Sequence, residues 1–311
     1  MSNSQINKLS ATSAVTDTIS APLLLNSSLV ISDNAPAGLN ISGGITANSA
    51  GTKTISNQGT GASAVQISGI IGGGSGKIAV TQNSTTSSLT LGGENTYTGH
   101  TLITAGTLTL GNNLALQDSV LDTSGAGTLA FSSGTNTPTF GGLTGSTSLT
   151  LASNVTALTL NTGIGVTTTY SGVLGSVTAG MALSKTGAGT QSLSGANTYT
   201  GGTTVSAGTL LVNNTTGSGT GSGSLAISSG AILGGTGTIS GATTVSGSLS
   251  AGDGGNSIAK LVFGNSLNLT SSENITFSQS TGNLTAVPEP STWALWTISL
   301  STVIIFRRRR H

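Results

Sequence analysis

The chain has 311 residues, of which only 5% are charged and 3% aromatic, with 48 glycines and no cysteine. Lack of cysteine rules out disulfides, thiolate metal sites and a cysteine nucleophile; low charge separates the chain from ordinary disordered sequences, which combine high net charge with low hydrophobicity. All four arginines, Arg307–Arg310, fall in the last five residues, and residues 1–286 hold five lysines against seven acids, so the body has no basic patch to neutralise phosphates and nucleic acid is a poor partner.

Residues 1–35 are the least regular part and are expected to form a cap or a frayed end. Met1–Val30 offers only Lys8 and the short run Pro22-Leu23-Leu24-Leu25. A secretory signal needs a basic n-region and an apolar core of roughly 7–15 residues. An exported chain of this kind would carry its signal upstream, with Met1 internal to a longer product.

Residues 36–285 are built from repeats. Gly93–Asn113 reads GENTYTGHTLITAGTLTLGNN and Gly195–Thr215 reads GANTYTGGTTVSAGTLLVNNT; 12 of the 21 aligned positions are identical, at an offset of 102. Looser copies begin near Gly125, Gly223 and Gly241. The shared unit is four to six alternating residues followed by Gly, Asn or Ser-Gly. Alternation sends successive side chains to opposite faces of a strand, so Leu108 and Leu110 share one face while Thr107 and Thr109 share the other. Strands this short need partners. Stacking them in coils supplies those partners and buries a continuous aliphatic column, with glycine at the corners. The expected fold is all-β: a right-handed parallel β-helix, in preference to a β-sandwich. At about 20 residues per coil the body gives on the order of 13 coils, and at about 4.8 Å per coil a rod on the order of 60 Å long.

Leu183–Asn214, LSKTGAGTQSLSGANTYTGGTTVSAGTLLVNN, closely resembles the autotransporter-associated β-strand repeat, and Gly93–Asn113 is a second copy with a diverged upstream part. The resemblance implies a β-helical passenger of a bacterial surface protein. A self-translocating autotransporter ends in a membrane β-barrel of alternating strands, and this chain has no room for one.

The tail, residues 286–311, differs from the body. Ser291–Phe306 is uncharged and contains both tryptophans, Trp293 and Trp296. Residues 292–306 as a helix span roughly 22 Å, short of a hydrocarbon core of about 30 Å; interfacial tryptophans and snorkelling arginines would close much of the gap. Arg307, Arg308, Arg309 and Arg310 form a stop signal held on the cytoplasmic side. A single C-terminal transmembrane helix is therefore expected, the alternative being a buried helix with a basic end. The order Val287-Pro288-Glu289-Pro290-Ser291, apolar stretch, arginine cluster resembles the PEP-CTERM sorting signal. The resemblance implies that Pro288, Glu289 and Pro290 are recognised by an exosortase, and that a membrane-anchored precursor gives a mature body at the cell surface or in the extracellular matrix.

Candidate chemistry in the body is sparse. Asp118 and Asp122, in LQDSVLDTSG, are the body acids closest in sequence, about 13 Å apart on an extended strand, and they are the candidates for a polysaccharide-cleaving site. His100, the only body histidine, aligns with Gly202 in the second copy, which points to an exposed turn. Ala251–Asn256 holds one aspartate, too few for a strong calcium site. Tyr97 and Tyr199 occupy the same place in two copies and fit either a packing role or a sugar-stacking platform. No cofactor or metal is expected. The function expected is a non-enzymatic exported surface or matrix protein with a structural or adhesive role, touching exopolysaccharide. The alternatives are a carbohydrate-active β-helix enzyme and a fragment of a larger adhesin.

Overall fold

The computed structural model describes residues 3–9 and 15–251, and beyond them the backbone of short strands at Val262–Phe263, Leu267–Leu269, Glu273–Phe277 and Asn283–Pro288. The described residues form an all-β parallel solenoid of about ten turns. One strand from each turn enters a 13-stranded sheet that runs from Ser4–Lys8 to Leu267–Leu269. Within this sheet the offset from one turn to the next ranges from 18 residues, where Leu225 lies opposite Thr243, to 26, where Leu29 lies opposite Ile55. No helix among the described residues is long and apolar enough to cross a membrane. The expected C-terminal helix at 292–306, Glu289, Pro290 and Arg307–Arg310 lie outside the described residues, as do residues 252–256 of the glycine-rich turn.

In the first turns the coil has three faces. Leu39–Ile41, Val65–Ile67, Leu89–Leu91 and Thr107–Leu110 stack in a second sheet, and Leu23–Leu25, Ile45–Ala47 and Ile71–Gly74 in a third. Alternation decides what goes inside. Leu39, Val65, Leu89 and Leu108 lie one above another in register, and all four are buried. Each such side chain contributes about 1.5–3 kcal/mol by leaving water. The outward column of the main sheet is neutral and small: Thr159, Ser184, Thr204, Ala226 and Thr244 occupy successive rungs.

The stack changes partners midway. Thr139–Thr144 pairs with Ala157–Asn161 through Thr139 and Phe140 alone, while the following Gly145 bridges to Tyr170 of Thr167–Tyr170. The second sheet ends at Thr128–Phe131, and a new seven-stranded sheet starts at Thr167–Tyr170. Leu149–Leu151, on the intervening turn, pairs only with Leu174–Ser176. Residues 139–170 thus form a seam between two stacks. At the far end Glu273–Phe277 and Asn283–Pro288 form an antiparallel hairpin on Ser248–Ala251, breaking the parallel order; Pro288 is the last residue of that hairpin.

Inside the second stack, one inward position is a lysine. Lys185 sits between Leu160 and Val205 in register and is fully buried. Its amine donates to the carbonyls of Thr186, Gly187 and Ala207, and burial lowers its pKa to about 8. Lys53 likewise donates to the carbonyls of Ser49 and Ala50, and Lys8 to those of Ala37 and Gly38. Lysine amines thereby supply donors to carbonyls at the coil corners. The ion pair Lys8–Asp17, at 3.4 Å, is the only one among the described residues.

Candidate functional site

The repeated Asn-Thr-Tyr-Thr-Gly segment forms a coil corner, and each of its inward groups has a task. Asn95 reaches both neighbouring turns: its Oδ1 accepts from the backbone N–H of Ile71 at 2.8 Å, and its Nδ2 donates to the carbonyl of Ala115 at 2.9 Å. Asn197 repeats this between Leu174 N–H, at 2.7 Å, and the carbonyl of Gly219, at 2.6 Å. A side-chain amide carries a donor and an acceptor like a peptide group, so each asparagine continues the ladder where no strand does. The backbone helps, since Thr96 N–H donates to Ile71 and Thr198 N–H to Leu174.

Two residues on, Tyr97 and Tyr199 turn inward and are 1% exposed. Their hydroxyls bond the Oγ1 atoms of Thr101 and Thr203 at 2.6 and 2.7 Å. Desolvation pushes both phenols well above their ordinary range. Of the two roles open for these tyrosines, packing is the one the geometry assigns; neither ring is available to stack on a sugar. Gly106 and Gly208, in the Ala-Gly-Thr-Leu that follows, have φ of 68° and 64°. A Cβ on Gly208 would lie 2.4 Å from the carbonyl oxygens of Gly187 and Gly189, so the residue is glycine for both backbone and space.

The remaining candidates do not converge. His100 is exposed, and its backbone carbonyl accepts from Val80 N–H. Asp118 and Asp122 lie on Leu116–Asp122, whose register shifts between Leu116 and Val120 so that Ser119, Val120 and Leu121 are all buried. Asp118 is exposed at its residue surface, and partial desolvation raises its carboxyl pKa. Asp122 accepts from Ser124 N–H at 2.9 Å. Among the described residues no three His, Cys, Asp or Glu side chains cluster as metal ligands.

Asp122 instead borders a slot at the seam. Ile103, Leu121, Leu129 and Leu149, with Thr123, Thr147 and Ser148, enclose a cavity of about 50 Å³. Its two sides are Thr128–Phe131, at the end of its sheet, and Leu149–Leu151, one turn on. Sequence reasoning missed the slot, Gln191 and the bridging asparagines. Of these only the asparagines had a signal, the exact recurrence of Asn-Thr-Tyr-Thr.

The passenger-associated-transport-repeat model matches residues 86–110 and 183–212. Each match contains the Asn-Thr-Tyr-Thr-Gly corner just described and strands on both sides of it, so autotransporter-associated β-strand repeats are present twice in this solenoid. No curated protein and no solved structure matches the chain.

Proposed function

We propose that this is an exported, passenger-type surface or extracellular-matrix protein whose solenoid serves a structural and adhesive role without catalysis. The observation that carries the reading is the use made of the matched repeats. Their asparagines bridge neighbouring turns, and their tyrosine–threonine pairs brace each corner from within a turn, which makes length and regularity the product of the motif. Small, neutral Thr and Ser columns on the outside suit many weak contacts with exopolysaccharide better than one tight pocket. In the same reading the right-handed rod leaves the cell as a precursor. Residues 292–306 hold it in the membrane, Arg307–Arg310 fix the topology, and an exosortase acts at Pro288-Glu289-Pro290.

The test is mass spectrometry of the C-terminal peptide from surface and medium fractions of the producing cell. A mature end near Pro288-Glu289-Pro290 is expected, with the body outside. An intact tail through His311 in the cytosolic fraction would sink the reading. The rival, a polysaccharide-cleaving solenoid, draws on the raised pKa of Asp118. Cleavage of an extracellular polysaccharide that disappears on Asp118→Ala and Asp122→Ala would establish it instead.

A further inference from the structure

The first turn of the solenoid leaves one end of the rod open among the described residues. Ser4–Lys8, Asp17–Ile19 and Leu23–Leu25 are each the outermost strand of their sheet, and each pairs only with the strand one turn on. The bonds of the first strand define its open side. Ser4 N–H donates to the Ser28 carbonyl, and the Lys8 carbonyl accepts from Asn34 N–H, so Ser4, Ile6 and Lys8 face the second turn. Successive residues of a strand face opposite neighbours, which leaves the N–H and C=O of Gln5 and Asn7 on the free side. The core is unsealed there too. Ile6, Ile19 and Leu23 are only half-buried, whereas their register partners Ile31, Ile41 and Ile45 are fully buried. A solenoid end needs a cap, and an open sheet edge recruits another strand.

Charge, edge and far end together identify the occupant. Residues 3–28 hold one lysine and one aspartate, and these pair with each other at 3.4 Å, so two such ends do not repel. None of the three strands contains proline, their ladders are unbroken, and the one lysine is turned onto the carbonyls of Ala37 and Gly38; nothing blunts the edge. At the other end of the rod the antiparallel hairpin lies on Ser248–Ala251, which breaks the parallel order that head-to-tail stacking would continue. We propose that the open end binds the same end of a second copy, by antiparallel pairing of Ser4–Lys8 with itself about a twofold axis through Ile6. In that register Gln5 lies opposite the second copy's Asn7, and the free N–H and C=O groups of both find partners. Ile6 lies against its own counterpart. The twofold also sets Asp17–Ile19 over the second copy's Leu23–Leu25, which brings Ile19 to Leu23 and closes the core. A twofold contact between like surfaces is self-limiting, so a dimer forms and no fibre. The proposal stands independently of the surface-protein reading.

The experiment is sedimentation of the whole chain in a mild detergent, which keeps the uncharged stretch 291–306 from driving association. A dimer is expected at about 100 µM, where a contact of micromolar Kd is saturated. Proline fits an edge strand where its missing N–H faces outward, so Gln5→Pro with Asn7→Pro should leave the coil folded, as thermal melting would check. This double variant should raise the dimer dissociation constant at least about tenfold. Cross-linking reads the geometry, since the chain has no cysteine of its own. Opposed residues of a non-hydrogen-bonded antiparallel pair lie about 4.5 Å apart at Cα, within disulfide reach. Ile6→Cys should therefore give a covalent dimer on mild oxidation, and Thr244→Cys, near the far end, should not. A monomer at that concentration overturns the proposal. So does a dimer that survives the double proline variant, or equal cross-linking at residues 6 and 244.

Discussion

Gln191 makes with Leu143, 48 residues earlier, the pair of hydrogen bonds that a neighbouring strand would make. Leu143 N–H donates to Gln191 Oε1 at 3.0 Å, and Gln191 Nε2 donates to the Leu143 carbonyl at 2.9 Å. The same Oε1 accepts from Thr168 Oγ1 at 2.8 Å. Leu143 belongs to the strand that leaves the main sheet at the seam, so a buried side-chain amide stands in for the missing peptide group.

Replacing Gln191 by Leu should therefore cost about 3 kcal/mol or more, because it strands a buried N–H, a carbonyl and a hydroxyl together. Denaturant unfolding is expected to change from one transition toward two. Hydrogen exchange should show protection lost first in residues 139–170. Unchanged unfolding in Gln191→Leu would remove the splint role.

The two corner asparagines predict a matched pair of effects. Asn95→Ala and Asn197→Ala each leave one buried donor and one buried acceptor unpaired, at about 2–4 kcal/mol each. The sites are far apart in the rod and share no partner, so the double variant should lose the sum in thermal or chemical denaturation. Asn→Asp at either position keeps the acceptor but removes the donor, and should be no milder than alanine.

Alkaline titration should give a maximum in stability. Lys185 has a folded pKa of about 8 against 10.5, so the unfolded chain binds more protons between those values. Its contribution is absent below pH 8 and grows as pH rises toward 10.5. The buried phenols of Tyr97, Tyr170 and Tyr199 act in the opposite sense, their pKa values raised by burial. Above pH 10 the unfolded tyrosines ionise first, and stability falls. Lys185→Met should flatten the rise, and Tyr97→Phe with Tyr199→Phe should soften the fall; melting temperatures from pH 7 to 11 would measure both.

Glycine positions separate space from backbone strain. Gly208→Ala meets two carbonyl oxygens at 2.4 Å at a φ of 64°, whereas Gly165, at a φ of 73°, has open space around its would-be Cβ. Gly165→Ala should cost about 1 kcal/mol from the left-handed backbone alone. Gly208→Ala should cost clearly more, read as the difference in urea midpoint between the two variants.

Much of the solenoid was legible in local pattern. The parity of Leu108 and Leu110 against Thr107 and Thr109 assigned the faces, and the 102-residue offset marked two equivalent corners. Lys185 shares its parity with Leu183, a signal that it points inward, although a count of charges hides it. The seam was not legible. It depends on one strand dividing its pairing between two sheets, and Leu143 finds its partner only two turns away, beyond the reach of any local rule. The slot follows from the seam and was hidden with it. Asp118 and Asp122 looked like a pair by spacing, but the register shift between Leu116 and Val120 breaks the alternation on which that spacing relied.

The neutral outward column Thr159, Ser184, Thr204, Ala226 and Thr244 has a consequence for where such a rod can work. Rungs about 4.8 Å apart would set any repeated charge well inside the Debye length of about 8 Å at physiological ionic strength. A charged column would then repel itself in dilute media and relax only as salt was added. This one has nothing to screen, so the rod should hold its form equally in fresh water and in brine.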